Sequence, residues 1–241
     1  MPAGQARSMD PAQTTSAIML DNPVWHALST IHSGLCESNG RAKRYLPEVS
    51  PLAATAELSA EAYRELAEVF RPGQAAGLLV EPSVAALPGL EIIRRLSVNQ
   101  MVWEGKSVSV ANPGEVLEKN DAPEMLSLAQ LTQPGPFTLR TIELGRYIGI
   151  RKSGKLAAMA GERMRMPGNT EVSAVCTHPD HRGQGYASAL VLAMVTTIMQ
   201  RGDVPFLHVA TENVSAIRVY EKLGFRTRRI SQFAIVKRGP A

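Results

Sequence analysis

Glycine, arginine, asparagine and tyrosine follow one another in the second half of this chain in an order that could hold an anion and then move a proton. The segment Thr177-His178-Pro179-Asp180-His181-Arg182-Gly183-Gln184-Gly185-Tyr186-Ala187 lies between a β-branched run and a long apolar periodic stretch. Glycines have no Cβ, so a ligand can come close to the backbone there. A helix start leaves several N–H donors unpaired and carries partial positive charge, which suits a diphosphate. Arg182 adds a fixed cation. Two other phosphate loops are excluded. No Gly-Lys-Ser/Thr ends the turn, and position 188 is Ser where a dinucleotide fingerprint needs its third glycine. Taken alone, a tight strand-to-helix turn explains the glycines equally well.

Asn213 and Tyr220 are seven residues apart. On a helix that is two turns less about 20°, so both lie on one face about 10.5 Å apart. Isolated, they would read as a helix cap and a core tyrosine. His178 and His181 flank Asp180, but no further Cys/His cluster completes a metal site, and none is expected. Cys176, by strand alternation, should face away from Glu171, Ser173 and Val175, buried and inert against a helix. Arg226-Thr227-Arg228-Arg229 has no aromatic interleaving or reading helix, so nucleic acid is not expected. A solvated face or a contact to a phosphate is the reading for that run.

These residues need elements to place them. Tyr147–Ile150 and Leu156–Ala160 flank Lys152-Ser153-Gly154-Lys155, a hairpin signal. A strand follows over Glu171–Thr177, then a helix over Gly185–Arg201 ended by Gly202. Next come a strand over Phe206–Ala210, a helix over Val214–Leu223 capped by Asn213 and closed by Gly224, and a strand over Ile230–Val236. Upstream, Trp25, Leu28 and Ile31-His32 fall at helical spacing. Ser59 caps a helix that Pro72-Gly73 stops, and Leu78–Val80 and Leu96–Trp103 read as strands. Asn112-Pro113-Gly114 is a turn, Glu124–Leu131 a helix, and Gln133-Pro134-Gly135-Pro136 a break. The order predicts an α/β or α+β sheet flanked by helices.

Arg182-x-x-Gly185-x-Ala187 resembles the Arg/Gln-x-x-Gly-x-Gly/Ala signature of the GCN5-related N-acetyltransferase (GNAT) family. Asn213-x-x-Ala216-x-x-x-Tyr220-Glu221-Lys222-Leu223-Gly224-Phe225 is similar to that family's second coenzyme A element. The resemblance covers roughly residues 120–238. Pro134–Phe137 and Thr170–Pro179 look most like the FR47-like subgroup. It implies a mixed, splayed sheet and transfer of an acetyl group from acetyl-coenzyme A, a co-substrate, to an amine. By resemblance, Arg182 and the backbone of Gly183, Gln184, Gly185, Tyr186, Ala187 and Ser188 hold the diphosphate. Val175, Cys176 and Thr177 pair with the pantetheine arm, Asn213 contacts the coenzyme, and Tyr220 is the general acid. For the base, two family patterns compete. Glu171 lies eleven residues before Arg182, as in the histone-acetylating branch. His208 lies five before Asn213, as in the branch acting on protein N-termini, and a histidine (~6.5) suits base work near neutrality. Each has a structural alternative, Glu171 at a strand end and His208 packed in the sheet.

Of the 241 residues, 44% are apolar and 20% charged, which excludes wholesale disorder. The longest apolar stretch, Ala189–Val195, is far short of the ~20 residues a membrane helix needs. With no leader pattern and two cysteines, Cys36 and Cys176, reduced thiols in the cytoplasm are expected. Residues 1–120 carry 10 Lys+Arg against 13 Asp+Glu, and residues 121–241 carry 16 against 9. The acidic half mildly favours a cationic acceptor, and the basic half an anionic partner or a solvated surface. The chain divides into a flexible tail (1–20), an N-terminal α/β region (21–119) and an acetyltransferase domain (120–241). The N-terminal region reads either as a degenerate copy of the same fold or as an acceptor-binding addition. The acceptor amine stays open among small molecule, peptide and protein, as does a homodimer. A coenzyme-binding regulatory module without turnover is the alternative function.

Overall fold

Local signals that set helix ends act as read. In the computed structural model, which describes residues 17–80, 86–106 and 114–239, the Ser59 hydroxyl accepts from Ala62 N–H at the start of a helix. The five helices of eight-residue scale or near it are α1 (Pro23–Ser29), α2 (Ala60–Val69), α3 (Ala122–Thr132), α4 (Tyr186–Gln200) and α5 (Val214–Leu223). Asn213 Oδ1 caps α5 by accepting from Ala216 N–H at 3.2 Å, and Gly224 closes it at φ 117°. α1 ends at Ser29, before Ile31-His32, and Ile31 is exposed.

Among the described residues, eleven strands form one sheet. They are β1 (Cys36–Asn39), β2 (Ala42–Tyr45), β3 (Leu52–Thr55), β4 (Ala75–Val80), β5 (Leu90–Trp103), β6 (Glu115–Leu117), β7 (Tyr147–Lys152), β8 (Lys155–Met166), β9 (Asn169–Thr177), β10 (Val204–Ala210) and β11 (Phe225–Arg238). Their order is β1-β2-β3-β4-β11-β5-β10-β9-β8-β7-β6. The last strand therefore lies between two strands of the N-terminal region, and the boundary at 119/120 falls inside one continuous sheet. β5 and β11 begin earlier or run longer than their apolar centres suggest, because each is half exposed at one end. Of the proposed tail, residues 1–16 lie outside the described residues. Leu20 is buried against α1 and Phe206. Asn112-Pro113 also lies outside them.

α4 and α5 cover one face of the C-terminal strands, burying Leu190, Val191, Met194 and Ile198 against Val172 and Leu207. The other face is closed by α3, around Met125 and Tyr147, and by α1, around Leu28 and Tyr45. α2 packs Tyr63 and Leu66 on β4 and β11. The fold is a mixed α+β sheet flanked by helices.

Candidate active site

Two irregularities open the sheet. β10 runs parallel to β9, but their pairing stops at Phe206↔Glu171, and β10 turns to β5 instead. Opposite, β9 bulges. Met159 pairs with Cys176 and Gly161 with Ser173, so Ala174 and Val175 share the single Ala160, and Ala174 takes φ 52°. The bulge reverses the strand's alternation. Val172 and Val175 both face α4, while Ala174 and Cys176 face α3. Cys176 is thus opposite Val175 but on the same face as Glu171, which corrects the alternation drawn from sequence. It does lie against a helix, and burial pushes its thiol up to about 11.

A cavity of about 580 Å³ runs from this opening along the turn before α4. It is lined by Val175, Cys176 and Thr177, by Arg182 through Ser188, and by Asn213 and Tyr220. Arg182 N–H bonds Pro179 O, and the helix ladder begins with Ala189 N–H to Gly185 O at 3.0 Å. The six N–H groups from Gly183 to Ser188 have no backbone acceptor among the described residues. Gly183 and Gly185 sit at φ 77° and 78°, with open space where a Cβ would stand. No acidic side chain occupies the first turn of α4. A row of free donors at a positive helix end, with room above it, fits a diphosphate.

A second cavity, of about 480 Å³, lies on the far side of the opening. The two share Gln133, Pro134, Val175, Asn213, Ala216 and Tyr220. Tyr220 packs edge-on against Phe225 at 6.0 Å, and burial, helped by nearby Cys176, raises its phenol to about 12. It therefore keeps its proton at neutral pH.

His208 lines the second cavity. Its Nδ1 is 2.7 Å from Glu171 Oε1. Glu171 is fully buried and also accepts from Arg163, Nε to Oε2 at 2.6 Å and Nη2 to Oε1 at 2.7 Å. Burial alone would push the Glu171 carboxyl up. The Arg163 charge and hydrogen bonds, with the bond from His208, outweigh it and bring it down to about 2. A permanent carboxylate makes Nδ1 the protonated nitrogen. Nε2 then accepts from Gln100 Nε2 at 3.3 Å, an orientation fixed because Gln100 also donates to Leu20 O and accepts from Arg228. Glu171 thus stands between Arg163 and His208. Its oxygens are occupied by Arg163 and His208.

Sequence reading missed Arg163 and Gln100. Both are polar residues inside strands, Gln100 within the apolar Leu96–Trp103 run, and that break in patterning is their only signal. The Arg226–Arg229 run does not line the coenzyme-side cavity. Arg228 and Arg229 bind Asp21, and Arg226 donates to the carbonyl of Glu221. His178 Nδ1 accepts from Asp180 N–H. Among the described residues, no group of three metal-binding side chains converges, and no helix is long and apolar enough to cross a membrane.

The family model for FR47-like proteins matches residues 147–234. A crystal structure from Novosphingobium aromaticivorans, assigned to the GNAT acetyltransferases, is 38% identical, with TM-score 0.85, over 92% of this chain and 99% of its own. This chain belongs to the GNAT family. As a GNAT acetyltransferase it also resembles the [ribosomal protein bS18]-alanine N-acetyltransferase of Escherichia coli strain K12, 28% identical over 47% of this chain and 80% of that protein. A segment of 58 residues, 24% of this chain, is 45% identical to 19% of the mycothiol acetyltransferase of Saccharomonospora viridis.

Proposed function

We propose that this GNAT enzyme moves an acetyl group from acetyl-coenzyme A directly to the nitrogen of an amine, with His208 as general base and Tyr220 as general acid. The observation that carries the reading is the meeting of the two cavities where β9 and β10 part. Tyr220 stands at the junction and His208 on the far side. Gly183–Ser188 and Arg182 would hold the diphosphate. Val175, Cys176 and Thr177 would pair with the pantetheine amides, and Asn213, whose Oδ1 is used by its cap, would offer Nδ2.

When bound, the coenzyme supplies a thioester carbonyl as electrophile. The amine lone pair forms the C–N bond as the C–S bond breaks. His208 Nε2, once Gln100 gives up its hydrogen bond to it, takes the proton leaving nitrogen, its imidazolium stabilised by the Glu171 carboxylate. Tyr220 gives its proton to the departing sulfur, and both groups reset with solvent. A free thiol near 8.5 would make that last transfer strongly uphill. Burial raises the neighbouring Cys176 thiol, and the same burial around the departing sulfur would narrow that gap.

The relatives' names, a [ribosomal protein bS18]-alanine N-acetyltransferase and a mycothiol acetyltransferase, support an amine-bearing acceptor here, on a protein or a small molecule. The two free thiols and the coenzyme fit a cytoplasmic enzyme. No observation favours a binding module without turnover. The test is thiol release from acetyl-coenzyme A with a panel of amines. Binding of the coenzyme without release for any amine would overturn the reading.

A further inference from the structure

We infer that the acceptor is a primary amine borne on a compact apolar body with no second positive charge, and that Gly77 sets the room for that body. This rests on the reading above that the second cavity receives the acceptor.

The walls of that cavity divide sharply. At the β9–β10 opening stand the polar groups, Ser173, His208, Asn213 and Tyr220. Away from it the wall is Leu52, Gly77, Leu96, Val98, Phe233 and Ile235. These come from β3, β4, β5 and from β11, which β4 and β5 enclose. Among the described residues, no Asp or Glu lines the cavity. Among the described residues the one Lys or Arg side chain there is Arg163, and Glu171 already neutralises it. A second ammonium would lose its water against an apolar wall with no anion to replace it, which is costly. The reacting amine escapes that cost because it must be neutral to attack.

The acidic balance of residues 1–120 does not reach this wall among the described residues. Glu57, Glu61 and Glu65 pair with Arg41, and Asp21 with Arg228 and Arg229.

Gly77 holds an ordinary strand backbone, so its lack of a side chain matters for space. A Cβ there would meet Leu52 Cδ2 at 3.1 Å, Phe233 Cδ1 at 3.5 Å and Ile235 Cδ1 at 3.7 Å, all wall atoms. Any longer side chain projects among them and takes volume from the cavity, while the coenzyme-side cavity does not include Gly77.

Such an amine has two sources, a free alkyl- or arylalkylamine and the N-terminus of a peptide with an apolar first residue. Four probes separate the cases: 2-phenylethylamine, its 4-aminomethyl derivative, spermidine, and a tetrapeptide beginning with Leu. Each is titrated calorimetrically into protein saturated with coenzyme A, and each is assayed for thiol release. The expected result is a preference of about tenfold or more for phenylethylamine or the peptide over both polycations. The better of the two names the source. Gly77→Leu should lower that kcat/KM about tenfold and leave the coenzyme Kd within about twofold. Should Gly77→Leu not fold, Gly77→Ala, which asks Leu52 to shift by a few tenths of an ångström, should lower it in the same direction by about threefold. Preference for spermidine or the diamine, or indifference to Gly77 substitution, overturns the inference even if acetyl transfer is real. Apolar amines that bind in a Gly77-sensitive way without thiol release would keep the inference and sink the transferase reading. Neither binding nor release sinks both.

Discussion

His208 Nδ1 lies 2.7 Å from Glu171 Oε1, two residues beyond the point where their strands cease to pair. The contact bridges a gap that the backbone leaves open, and it turns two separate base candidates into one unit. His208 faces the cavity. Glu171, fixed by Arg163, holds the histidine's tautomer.

Replacing His208 with Gln should therefore lower kcat/KM by ~10²–10⁴-fold and remove the acidic limb of its pH profile. Glu171→Gln, which leaves the imidazole of His208 in place, should depress the rate yet keep that limb. An acidic limb that survives His208→Gln and vanishes with Glu171→Gln would reverse the assignment. An acceptor whose chemistry limits the rate is required.

Tyr220→Phe removes a hydroxyl and keeps the ring packed on Phe225. As general acid, Tyr220 should contribute ~10²-fold or more to kcat with little change in coenzyme affinity. A fall in kcat of less than about threefold, measured under chemistry-limited conditions, leaves only a packing role.

Gly185→Val places a branched side chain over the free N–H groups at a φ of 78°. Coenzyme affinity by calorimetry should drop by about tenfold or more, since the backbone can no longer be approached. Gly202, at φ 84° beyond the other end of α4 and equally open, supplies the control. Gly202→Val carries similar backbone strain and should bind the coenzyme as the parent does.

Acid stability should report the buried pair. Glu171 falls from an ordinary 4.5 to about 2 in the folded chain. A lowered carboxylate contributes stability that is whole above the unfolded value and is lost as pH falls through the folded one, here from about 4.5 to about 2. The span corresponds to about 3 kcal/mol. Urea midpoints measured from pH 6 to 2 should fall more steeply for the parent than for Glu171→Gln. At pH 7 that variant should itself be less stable by about 3–5 kcal/mol, because Arg163 loses its counter-charge. Parallel pH curves for the two proteins would contradict the pairing.

What could be read in the sequence was local. Asn213 before Val214 and Gly224 after Leu223 state where a helix begins and ends, because capping depends on neighbours in the chain. The glycines of the turn before α4 declare an open backbone for the same reason. The Glu171–Arg163 pair could not be read, since it depends on which strand lies beside β9 and on a register shift between Glu162 and Arg165, where Arg163 and Met164 share the single Glu171, that strict alternation forbids. Nor does any residue of β5 announce that it will separate β10 from β11. The contacts of Glu171 with Arg163 and His208 rest on that register, whereas the position of His208 depended only on its distance from Asn213.

The place of β11 between β4 and β5 bears on how the chain is made. Phe225–Arg238 are translated after every other strand, yet they occupy the middle of the sheet. Until they leave the ribosome, one edge of β4 and one edge of β5 have no neighbour to pair with. The apolar wall of Leu52, Leu96 and Val98 then lies open to water. The nascent N-terminal region must wait, exposed and prone to aggregate, for its last partner. Ribosome-bound chains arrested before residue 225 should accordingly depend on chaperones, and release of the final strand should close the sheet and the acceptor cavity in one step.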